Sequence, residues 1–164
     1  MSDSHYNVLF LCTGNSARSI MAEAILRRKG GRHFTAYSAG SQPTGFVRKE
    51  ALDQLRRAGL DTDGFRSKSW DEFSGPGAPH LSFVFTVCDS AANEPCPLWP
   101  GQPMTAHWGV PDPAAVHGSA DEVQRAYSAA FSALDRRISL FLSLPLETLD
   151  ALALQKAIQN IGNQ

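Results

Sequence analysis

The chain has 164 residues, 43% of them hydrophobic and 19% charged, enough for one domain with a proper core, and residues 1–164 read as a single domain. A net charge of −1 removes the bulk attraction that nucleic acid or an anionic membrane surface needs, so no nucleic-acid partner is expected. Any recognition of an anion must then be local.

The N-terminal MSDSHYNVLF has no basic stretch ahead of a long apolar core, and no run in the chain approaches the roughly 18 apolar residues of a membrane span. A cytoplasmic protein without membrane partners is the expectation. Residues 6–11 (YNVLFL) predict a buried strand ended by small loop residues. From Arg18 to Lys29 the pairs Ile20/Ala24 and Met21/Ile25 predict an amphipathic helix, with Gly30-Gly31 as its stop. FTAYSAG (34–40) predicts a second strand. VRKEALDQLRRAG (47–59) predicts a helix with Val47, Ala51, Leu55 and Ala58 on one face. Ser69 and Glu72 suggest a capping box for a short helix over 69–74.

SFVFTV (82–87) predicts a third strand, which ends at Cys88. Prolines at 95, 97, 100 and 103 exclude regular helix or central strand, so 89–103 is expected to be an exposed, semi-stiff loop. TAHW (105–108) suggests a short fourth strand. Residues 120–142 and 145–161 predict two helices, the second with Pro145 in its first turn. Strands alternating with helices imply a three-layer α/β/α fold with a four-stranded parallel sheet. In such sheets ligands bind beyond the carboxyl ends of the strands. Cys12, Ser38, Cys88 and the loop after TAHW all fall there, on one rim.

The segment from Cys12 to Ser19, CTGNSARS, follows a strand and opens a helix. Its small residues Thr13, Gly14, Asn15, Ser16 and Ala17 let the backbone curl so that successive N–H groups form an anion nest, reinforced by the helix dipole. Arg18 adds a planar fork suited to two oxygens of a tetrahedral oxyanion. A cysteine in that field is expected to have a lowered pKa and to act as a thiolate, with Ser19 able to donate a hydrogen bond to it. Three cysteines do not make a disulfide scaffold in a chain of this size, so core thiols, metal ligands and redox groups all stay open for Cys88 and Cys96. Zinc is the weaker of these, because Cys88, Cys96 and His107 lack paired short spacing.

CTGNSARS, with MAEA after it, SAG at 38–40, TVCD at 86–89 and HWGVPDP at 107–113, resembles the low-molecular-weight protein tyrosine phosphatase superfamily. That superfamily includes the thioredoxin-coupled arsenate reductases, and the resemblance runs over nearly the whole chain. It implies a flavodoxin-like winding of the sheet. It implies Cys12 as nucleophile, Arg18 as oxyanion clamp and Asp112 as the acid of an Asp-Pro loop, with Thr13 to Ser19 binding arsenate or phosphate. In the reductase branch a Cys12 adduct is attacked by Cys88, and Cys96 then resolves the pair as Cys88–Cys96. No tightly bound cofactor is implied, only an external thiol reductant, thioredoxin or glutaredoxin with glutathione. Some relatives hold potassium near the loop, which would fall at Asn15, Glu23 and Ser38.

After Asp112-Pro113 the chain continues Ala114, Ala115, Val116, which offers no wall for a phenyl ring and so favours a small inorganic anion over phosphotyrosine. Two departures from the family stand out. Ala17 takes the place of a second loop cysteine found in many members, and seven residues separate Cys88 from Cys96, one more than the thioredoxin-coupled type leads us to expect. The electron donor is therefore open. Arsenate reduction is the leading expectation, with a tyrosine phosphatase using Cys12, Arg18 and Asp112 or a non-catalytic oxyanion binder as alternatives. His107 and Trp108 read as structural.

Overall fold

The computed structural model describes residues 4–88, 99 and 102–163. Four strands, β1 (Tyr6–Leu11), β2 (Phe34–Ala39), β3 (Phe83–Thr86) and β4 (Met104–His107), form one parallel sheet in the order β2-β1-β3-β4. Four helices accompany them: α1 (Arg18–Gly30), α2 (Lys49–Arg57), α3 (Ala120–Leu142) and α4 (Ala151–Gly162). The winding is the flavodoxin-like one.

Side-chain alternation along β1 separates two cores. Val8 and Phe10, with Phe83 and Phe85 of β3, face the helices; Leu9 and Leu11, with Val84, face a smaller cluster under Phe73, Leu81, Tyr37 and Trp70. The helical side carries most of the buried volume. Trp108, fully buried, stacks on Phe85 with ring centroids 3.7 Å apart and donates from Nε1 to the Ile158 carbonyl at 2.9 Å. Burying a ring of that size removes 150–250 Å2 or so of surface, and its polar edge is satisfied at the same time. The structural expectation for Trp108 is met.

Three elements differ from their prediction. The helix expected from Arg18 is not simply amphipathic: Ser19 to Leu26 are all buried, because α1 is enclosed by the sheet, α2 and α3. The last helix begins at Ala151 rather than at 145. Asp150 supplies the cap by accepting from the Ala153 N–H at 2.8 Å, and Pro145 instead closes a turn through bonds from the Thr148 and Leu149 amides. At 69–74 only a short helical turn forms, Trp70–Phe73. Ser69 caps it through the Asp71 N–H, and Glu72 pairs with Arg66 instead of closing a capping box.

Candidate active site

Chain order in the sheet determines where chemistry can sit. β1 is central, with β2 on one side and β3 on the other, so the winding reverses between β1 and β3 and opens a crevice beyond their carboxyl ends. Leu11 is in register with Thr86, and the Val87 amide donates to the Leu11 carbonyl at 2.8 Å. The next residues along are Cys12 on one strand and Cys88 on the other. Topology alone puts the two cysteines side by side.

Residues 12–17 curl into a cup whose outer side is bonded to the surrounding chain. The Thr13 carbonyl accepts from the Gln42 amide at 3.0 Å, the Gly14 carbonyl from the Thr44 amide at 3.1 Å and the Ser67 hydroxyl at 3.0 Å, and the Ser16 carbonyl from the Arg48 amide at 2.9 Å. In a planar trans peptide the following N–H points the opposite way, so the amides of Gly14, Asn15 and Ala17 turn into the cup. Asn15 makes the turn possible. It adopts φ 47°, a left-handed conformation that asparagine tolerates, while its buried side chain donates to the Ser19 hydroxyl at 2.8 Å and accepts from the Lys68 amide at 2.9 Å. Helix α1 has no side-chain cap and no acidic residue in its first turn, which leaves its positive end open to an anion.

Gly40 closes the back of the cup. A Cβ there would overlap the carbonyl oxygens of Cys12 and Thr13, so no other residue fits without displacing the loop. Its own amide and carbonyl bond to Lys68 and Trp70, tying the 66–70 segment to the site.

Cys12 is 5% exposed and Cys88 2% exposed, and no disulfide joins them. The Thr13 N–H points at the Cys88 sulfur, 3.3 Å away, and the Thr13 hydroxyl lies 3.7 Å from it. Cys12 and Cys88 share a side-chain hydrogen bond. That neighbour corrects one expectation. The Cys12 thiol is pushed up, first by the hydrogen bond to Cys88 and then by burial, and the Arg18 charge that pulls it down does not outweigh them. Two thiols in contact cannot both ionise easily, so the first proton lost belongs to the pair.

Arg18 reaches over the cup to the loop after β4. One guanidinium nitrogen donates to the Val110 carbonyl at 2.8 Å and another lies 3.6 Å from the Asp112 carboxylate. The other oxygen of Asp112 accepts from the Ala114 amide at 2.9 Å, so the carboxylate is held while staying 43% exposed at the rim.

The remaining expected residues fall as follows. Ser38 donates to Glu23 at 2.5 Å and Arg27 pairs with the other Glu23 oxygen at 3.1 Å. Burial pushes the Glu23 carboxyl up, against Ser38, Lys68 and Arg27, which pull it down. Glu23 and Ser38 are thus brought together, while Asn15 bonds Ser19 and the Lys68 amide, and Arg27 and the half-buried Lys68 already supply the positive charge that a potassium ion would bring. A cation does not fit there as the residues stand. His107 bonds through Nδ1 to the Thr86 hydroxyl at 2.7 Å. Among the described residues no three His, Cys, Asp or Glu side chains converge as a metal site. Cys96 and the expected loop around it lie outside the described residues. Sequence reasoning missed Gln42, Thr44, Ser67 and Lys68, whose contributions are backbone amides and a hydroxyl with no compositional trace.

A strand-loop-helix oxyanion cup with a cysteine at its base and an arginine at its lip is the architecture of a cysteine-dependent phosphatase-type protein. The sequence profile of the low molecular weight phosphotyrosine protein phosphatases matches residues 7–152, and the chain belongs to that family. An arsenate reductase from Bacillus licheniformis is 33% identical over 139 residues, covering 84% of this chain and 96% of that protein. Among solved structures, a low molecular weight phosphotyrosine phosphatase from Vibrio cholerae superposes with a TM-score of 0.64 at 23% identity, covering 88% of this chain and 99% of that one. A thioredoxin-dependent arsenate reductase from Corynebacterium glutamicum gives 0.56 at 21% identity, with 85% of this chain covering 65% of that protein's length. Similarity at that level concerns the fold. Among the described residues no helix is long and apolar enough to cross a membrane.

Proposed function

We propose that this protein is a cytoplasmic arsenate reductase working on a phosphatase scaffold. The observation that carries the reading is Cys88 held against Cys12 at the base of the cup. A hydrolytic phosphatase has no use for a second thiol there, whereas a reductase must have one. The curated relative that shares a third of its residues over most of the chain is an arsenate reductase, which supports the same choice.

The cup and the Cys12–Cys88 contact support the following steps as far as the first disulfide, and the step through Cys96 rests on the family resemblance. Arsenate sits on the inward amides of Gly14, Asn15 and Ala17 with Arg18 on two of its oxygens. As the Cys12 sulfur attacks arsenic(V) its proton passes to an arsenate oxygen, that oxygen leaves as water, and a Cys12–arsenic bond forms. Asp112 at the rim is placed to handle the proton of the leaving oxygen. Cys88, as a thiolate, then attacks the Cys12 sulfur. The sulfur–arsenic bond breaks with its electron pair going to arsenic, so arsenite leaves and a Cys12–Cys88 disulfide remains: two thiols oxidised, one arsenic reduced by two electrons. Cys96 attacks Cys88, frees Cys12, and the Cys88–Cys96 disulfide is returned to dithiol by thioredoxin or by glutaredoxin with glutathione.

Arsenate-dependent NADPH oxidation tests this, with thioredoxin and thioredoxin reductase in one arm and glutaredoxin with glutathione and its reductase in the other. Turnover in at least one arm is expected. Silence in both, beside efficient hydrolysis of an aryl phosphate, sinks the proposal in favour of the phosphatase reading, which the contact of Asp112 with Arg18 would equally serve.

A further inference from the structure

The turn at 108–110, which connects β4 to Asp112, is held on both edges. Its amides face β3: Trp108 donates to the Thr86 carbonyl at 2.7 Å and Val110 to the Val87 carbonyl at 3.0 Å, directly before Cys88. Its three consecutive carbonyls face the other way, and each is taken by a guanidinium. Arg137, from the C-terminal part of α3, donates to the carbonyls of Trp108 and Gly109, both at 2.8 Å. Arg18 donates to Val110 at 2.8 Å. Trp108 is buried and Gly109 half-buried, so without Arg137 their two carbonyls lose their charged donor.

Arg18 is the residue that must grip the oxyanion, and in this structure its resting place is the third carbonyl of that turn. A long side chain anchored at one end on a fixed acceptor loses less freedom when a ligand arrives. The acceptor is fixed only if the turn is. From the helical layer, the Trp108 indole bond to Ile158 holds the side chain of the turn, and Arg137 holds its carbonyl edge.

We infer that Arg137 is a positioning residue for oxyanion binding: it holds the 108–110 turn so that the Val110 carbonyl presents Arg18, and the turn presents Asp112, to the cup. The inference rests on reading the cup as an oxyanion site but not on arsenate being reduced there. It assigns Arg137 a role felt through Arg18, distinct from simple support of the core.

Calorimetric titration with inorganic phosphate across a double-mutant cycle tests it, with thermal unfolding recorded for every variant. Arg137→Met is expected to weaken phosphate binding by about tenfold when Arg18 is present, and by less than about twofold in the Arg18→Lys background, where the grip is already lost. Arg137→Lys, whose ammonium can still donate to both carbonyls, is expected to stay within about twofold of the parent protein. If Arg137→Met does not fold, Arg137→Gln, which keeps one donor, takes its place in the cycle. Equal losses in the two backgrounds, or parental affinity in Arg137→Met, overturn the assignment. Failure of the parent protein to bind phosphate is the separable result that removes the oxyanion reading and this inference with it.

Discussion

Two sulfur atoms in contact behave differently from either alone. Cys88 is the largest influence raising the Cys12 thiol, so Cys88→Ala should bring it down and leave burial alone to oppose the Arg18 charge. The expected result is alkylation of Cys12 by iodoacetamide at neutral pH faster by about tenfold or more, followed by mass spectrometry. An unchanged rate would mean that burial, not Cys88, keeps the proton on. Gly40 makes a second residue-scale prediction. Gly40→Ala should cost about 1–3 kcal/mol, measured by denaturant unfolding, because the added methyl meets the Cys12 and Thr13 carbonyls. The roles expected of Cys12 and Arg18 could be read from their spacing between a strand and a helix. The raised thiol could not, since it depends on a residue 76 positions away in the chain.

At the scale of elements, hydrophobic periodicity located each strand and each of the four helices among the described residues. It erred where a cap, not a period, decides the boundary. Leu146 and Leu149 continue the apolar pattern of the last helix, yet the helix waits for Asp150, whose carboxylate satisfies the Ala153 amide. Ser69 and Glu72 had the spacing of a capping box, but Arg66 offered Glu72 a charged partner and the box lost. Helix α3 is capped by Ser119, whose hydroxyl accepts from the Glu122 amide at 3.2 Å. Ser119→Ala should therefore destabilise the protein by about 1 kcal/mol, a fall of roughly 2–4 °C in Tm by calorimetry for a chain of this size. An unaltered Tm would show that packing of Tyr127, Ala130 and Leu134 holds the helix start without the cap.

The whole molecule supplies what no motif contains. Placing β1 between β2 and β3 makes the ends of β1 and β3 neighbours, and the Val87–Leu11 bond sets their register so that Cys12 and Cys88 emerge together. The sequence put both cysteines on one rim; only the strand order makes them partners. Arg137 was not legible, because an arginine between Leu134 and Ile138 on a long helix looks like a solvated face until the turn at 108–110 is seen against it. The central claim, that oxidation passes from Cys12 to Cys88, is tested most directly by Cys96→Ser. One turnover of arsenate without external reductant, quenched in acid and mapped by peptide mass spectrometry, should yield arsenite and a Cys12–Cys88 disulfide in equal amounts. Free thiols on both residues, with no arsenite formed, would contradict it.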